Sequence, residues 1–99
     1  MLEKFYEKGA FAMGVIRRFN NNLNIIGTNV KKYREMQGLS QPDLCRKMEL
    51  LGVTMFIADI YEIEHNKRLV KDFEAKAFSL ALNITLDELY DNTNKLFEH

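Results

Sequence analysis

No stretch of this chain alternates apolar and polar residues long enough to form a strand, and its one proline, Pro42, sits where a helix begins. These two facts leave an all-helical fold. Punctuation then divides the helices. Gly38 supplies a left-handed stop after a helix over 25–37, whose inner face carries Ile26, Val30, Tyr33 and Met36. Ser40 and Asp43 form a capping box, with Pro42 in the first turn, where its missing N–H costs nothing. Leu44, Met48 and Leu51 give the next helix a core stripe up to Gly52.

A third helix is predicted over 53–64, with Ile60 and Ile63 inward and His65-Asn66 as its end. Asp72 is the expected N-cap of a helix over 73–82, with Phe73, Ala77, Leu80 and Ala81 at helical spacing. Thr85 and Glu88 form a second capping box, opening a short helix that ends near Tyr90. Residues 2–19 form a weaker amphipathic helix, with Leu2, Phe5, Ala12, Ile16 and Phe19 near one face. Gly9 and Gly14 each weaken it by roughly 1 kcal/mol. Asn20-Asn21-Asn22 read as a linker. The expected division is therefore an N-terminal extension and linker over 1–24, a helical domain over 25–91 and a polar, frayed tail over 92–99. Met13, close to the start of the helical domain, offers an alternative initiation site.

Composition excludes several classes. With 99 residues there is room for one small domain. A single cysteine, Cys45, permits neither an internal disulfide nor a cysteine zinc cage, and it reads as a small buried hydrophobe. His65 and His99 stand in loop and tail without metal-ligand spacing, so neither metal nor cofactor is expected. No nucleophile–base pair appears, which argues against an enzyme. The apolar run from Gly9 to Ile16 falls short of the roughly 20 residues needed to cross a bilayer, so no membrane partner and a cytoplasmic location are expected. Total charge is zero, yet residues 72–99 hold six carboxylates against two lysines, leaving the front of the chain mildly basic.

Two short helices around a tight connection within a five-helix bundle suggest a helix-turn-helix. Three blocks sharpen this. Ile26-Gly27-Thr28-Asn29-Val30-Lys31-Lys32-Tyr33-Arg34 with Gly38-Leu39-Ser40-Gln41, then Ile63-Glu64-His65-Asn66-Lys67-Arg68-Leu69-Val70, then Ala81 through Tyr90 lie in register. Over 25–91 the chain resembles the lambda-repressor-like regulators of the xenobiotic-response-element type. The resemblance implies a dimeric repressor-like regulator that places its third helix in the major groove of duplex DNA. It implies phosphate contacts from Ser40 and Gln41, backbone contacts from Lys67 and Arg68, and a structural ion pair between Arg34 and Glu64. Residues 2–19 or the short C-terminal helix would supply the dimer contact.

The positions that the resemblance assigns to base reading are Phe56, Ile57, Ala58, Asp59 and Glu62. None offers the bidentate contact that Arg makes to guanine or Gln to adenine. For Phe56 and Ile57 three readings stand open: an inward-folded part of the core, an apolar patch for a protein partner, or contact with thymine methyls. The second defines an alternative function, a helix-turn-helix fold reused as an antirepressor, antitoxin or inhibitor.

Overall fold

Five α-helices and one closing 3-10 turn make up residues 17–98, which the computed structural model describes. They are α1 (Gly27–Met36), α2 (Gln41–Leu50), α3 (Ile57–Glu64), α4 (Asp72–Ala81) and α5 (Leu86–Leu89), followed by the 3-10 turn Asn94–Phe97. The fold is the expected all-α helix-turn-helix bundle. Of the helix predicted over 2–19, residues 2–16 lie outside the described residues. Its last three, 17–19, are not helical.

Local chemistry sets most of the ends. Gly38 takes φ +70°, and the N–H of Leu39 reaches back to the Arg34 carbonyl at 3.0 Å. Ser40 Oγ accepts from the Asp43 N–H at 3.1 Å while Asp43 Oδ2 accepts from the Ser40 N–H at 2.8 Å, a complete capping box. Thr85 and Glu88 repeat it at α5. Asn66 and Asn83 stop α3 and α4 in the left-handed region.

Two starts differ from the sequence reading. The third helix begins at Ile57 rather than Val53. Gly52 at φ +86° turns the chain, and the N–H of Val53 returns to the Met48 carbonyl. Thr54 stays outside the helix and exposed, while Met55 is buried. Only at Asp59 does a carboxylate reach back to cap the Phe56 N–H, at 2.9 Å. At α4 the cap position is Lys71, and Asp72 is the first helical residue; Glu74 accepts from the Lys71 N–H at 2.9 Å.

The core joins Val30 of α1, Leu44 and Met48 of α2, Ile60 and Ile63 of α3, and Phe78 of α4, closed by Leu82 and Leu89. Met36 and Leu51, expected inward, are exposed, as are Phe73 and Leu80. Ala77 is buried as expected, and the rest of the inward face of α4 runs through Glu74, Ala75, Phe78 and Leu82. Gly27 marks the closest approach of α1 to α3, because a Cβ there would overlap the Ile63 carbonyl.

The segments expected to be a linker and a frayed tail are joined to each other. Asn20 and Asn21 both have left-handed φ, 51° and 65°, between Phe19 and Asn22, which exchange two backbone hydrogen bonds. Positive φ at both central residues is the signature of a type I′ turn. Asn20 Nδ2 then donates to the Leu96 carbonyl at 2.9 Å, and the Phe19 and Phe97 rings stack with centroids 4.6 Å apart. A polar stretch is thus ordered by two asparagines and one aromatic pair.

Candidate nucleic-acid interface

One buried carboxylate organises the helix-turn-helix. Glu64, on the inner side of the last turn of α3, accepts from Arg34 Nε at 2.6 Å and from its terminal nitrogen at 3.0 Å. It also accepts from Gln41 Nε2 at 3.1 Å. The second terminal nitrogen of Arg34 donates to the Leu39 carbonyl at 2.7 Å, inside the turn. Hydrogen bonding to Glu64 raises the Arg34 pKa further above its ordinary value, so the guanidinium stays charged. Three helices and the turn therefore meet at one carboxylate. Gln41, expected at phosphate, braces this cluster through its amide nitrogen.

Asparagines hold the loop after α3. Asn24 Nδ2 donates to the carbonyls of Ile63 at 3.1 Å and Arg68 at 2.8 Å, and its Oδ1 accepts from the Gly27 N–H at 2.8 Å. Asn66 Nδ2 donates to Asn24, and its carbonyl accepts from the Leu23 N–H. Neither role was visible in the sequence, because each joins residues about forty positions apart.

The two loop cations differ. Arg68, expected on the sugar-phosphate backbone, is bidentate to Glu74, with distances of 3.1 and 3.2 Å, and lies 3.5 Å from Asp59 Oδ1. Those hydrogen bonds raise its pKa. Burial pushes Glu74 upward, but Arg68, the Lys71 N–H and nearby positive charge outweigh it and hold the carboxyl below the usual range. Arg68 thus ties the loop to α4. Lys67 is exposed, and among the described residues it pairs with no carboxylate. Ser40 is exposed at the start of α2, its hydroxyl accepting from Asp43 while keeping its own hydrogen to donate.

The outer side of α3 is bare. Phe56 is 74% exposed and Ile57 49%, which removes the inward-folded reading, and Ala58 and Glu62 are exposed with them. Asp59 faces differently: its two oxygens serve Phe56 and Arg68, so its charge is matched. Two further residues complete this face and were not singled out as readers from the sequence. Tyr61 is 49% exposed, and its ring lies over the His65 imidazole at 4.1 Å between centroids. His65 Nδ1 sits 2.8 Å from the Tyr61 carbonyl. The signal was present as spacing: Ile57, Tyr61 and His65 recur every fourth residue, one stripe of a helix.

Among the described residues no helix is long and apolar enough to cross a membrane. No family model matches the chain, and no curated protein matches it. Among solved structures it is similar to the crystal structure of the restriction-modification controller protein C.AhdI from Aeromonas hydrophila. The two share 25% sequence identity with a TM-score of 0.57, over 68% of this chain and 94% of that one.

Proposed function

We propose that this protein is a DNA-binding transcriptional regulator of the repressor-like type, with α3 entering the major groove. The observation that carries the reading is structural likeness to a controller protein over nearly all of that protein's length, combined with an α3 whose outer face is uncovered. The Glu64 cluster holds α2 and α3 as one rigid unit, which a reading helix needs to keep its register on the duplex.

In this reading Ser40 and Lys67 meet phosphates at the two ends of the unit, and Phe56, Ile57, Ala58, Tyr61 and Glu62 face base edges. Gln41, Arg68 and Asp59 act behind them as braces. The protein works as a homodimer on a two-fold site, in line with the family resemblance over 25–91.

Unbiased selection from random duplexes at about 50 mM salt tests the reading, with the oligomeric mass measured on the same sample. A selected site with two-fold symmetry, bound by a dimer, supports it. Affinity for every duplex no greater than for the random pool overturns it. The exposed Phe56 and Ile57 favour one second reading, capture of a protein partner on the same face. Tight binding to a protein by a chain that selects no duplex would establish that reading instead.

A further inference from the structure

The outer face of α3 has an unusual hydrogen-bonding inventory. From Val53 to His65 there is no Arg, Lys, Asn or Gln. Asp59 is engaged with the Phe56 N–H at 2.9 Å and lies 3.5 Å from Arg68, so it is not available to a base. At the N-terminal end of the helix there remain the Phe56 ring, the Ile57 side chain and the Ala58 methyl, all exposed. One turn further on, Glu62 adds an acceptor and Tyr61 a hydroxyl.

Base edges differ in what they ask of such a face. Guanine presents two acceptors in the major groove and is read by side-chain donors, which the first turn of α3 lacks. Thymine presents a C5-methyl group, and the adenine opposite it presents an amino donor. Apolar side chains match the methyl, and it is this match that favours A·T, since Glu62 suits the amino group of adenine or of cytosine alike. Resting on the reading above, we infer that Phe56 and Ile57 read thymine C5-methyl groups and select A·T pairs where the first turn of α3 meets the duplex.

The test replaces methyls one at a time. Each thymine of a selected site is changed to deoxyuridine, and affinity is measured for the wild-type chain, Phe56→Ser and Ile57→Ser. Both side chains are exposed, and serine at the Phe56 position supplies the side-chain cap that α3 lacks, so both variants fold. Wild type is expected to bind about fourfold more weakly for each contacted methyl removed, the worth of one methyl-sized group taken from water. The variant lacking the contacting side chain loses that sensitivity while keeping its salt dependence.

Indifference of the wild type to every uracil overturns the inference, as does a selected site without thymine. A uracil penalty that persists in both variants also overturns it, because the methyl then acts through duplex shape. Recovery of affinity by a G·C pair carrying 5-methylcytosine, above that of the A·T pair it replaces, assigns the contact to methylated cytosine and overturns the thymine assignment. Failure to bind any duplex shows itself at the selection step. It removes the regulator reading, and this inference with it.

Discussion

The two sides of α3 are eight residues of one helix under opposite demands. The inner side carries Ile60, Ile63 and Glu64, all buried, and every oxygen of Glu64 has a donor. The outer side carries Ile57, Ala58, Tyr61 and Glu62, all exposed. The difference teaches where substitutions act. On the inner side a change disturbs how three helices meet; on the outer side it changes only what the surface can recognise.

The sharpest way to break that comparison is at Arg34. Arg34→Met leaves the Glu64 carboxylate buried and short of its strongest donor, and a loss of about 3–5 kcal/mol is expected by chemical denaturation. Pairing it with Glu64→Leu should recover much of that loss, since the stranded charge is then gone. Equal losses in the single and double variants would mean that packing, not charge, governs the inner side.

Glu74 tests a milder buried pair. Its carboxyl is held below the ordinary range, so the stability it contributes is fully present above the unfolded value of about 4.3 and is lost as pH falls through the lower folded one. Glu74→Gln is expected to lower stability by about 1–3 kcal/mol at neutral pH, from loss of the charged hydrogen bonds to Arg68. Thermal melts from pH 7 down to about 3 should show the gap to wild type narrowing below about pH 4.5. A constant gap would mean that the titration of Glu74 contributes nothing.

The smallest effect is predicted outside. Phe56→Ser and Ile57→Ser should each change stability by no more than about 0.5 kcal/mol. Melting by several degrees would place these side chains in the core and erase the distinction between the two sides.

Much of the fold was legible because it rests on local chemistry. The Gly38 stop, the Ser40–Asp43 and Thr85–Glu88 boxes and the left-handed Asn66 involve residues within a few positions of one another. The start of α3 was less legible, because Val53 and Thr54 continue an apolar run that only the burial of Met55 and the Asp59 cap divide. In α4 two apolar stripes compete, Phe73-Ala77-Leu80 and Ala75-Phe78-Leu82, and helical period alone ranks them equally. The second faces inward, on the same side as Glu74, which Arg68 holds from across the preceding loop; of the first only Ala77 is buried, while Phe73 and Leu80 are exposed.

The candidate site divides in the same way. Arg34 and Glu64 were named from the sequence blocks, and the structure brings them to 2.6 Å. Gln41 and Arg68 are phosphate contacts by the resemblance alone, and in the structure each also bonds a carboxylate of the protein. Tyr61 and His65 fall outside the family blocks' reading positions, although their spacing places them on the stripe of Ile57.

By itself the sequence determined the helical class, the turn chemistry and the absence of Arg, Lys, Asn and Gln along α3, because these follow from residue type and short spacing. Only the tertiary structure decided which cations stay free for a ligand and which apolar residues face water. A guanidinium takes whichever carboxylate the packing brings near, and a helix turns toward the core whichever stripe its neighbours leave room to bury.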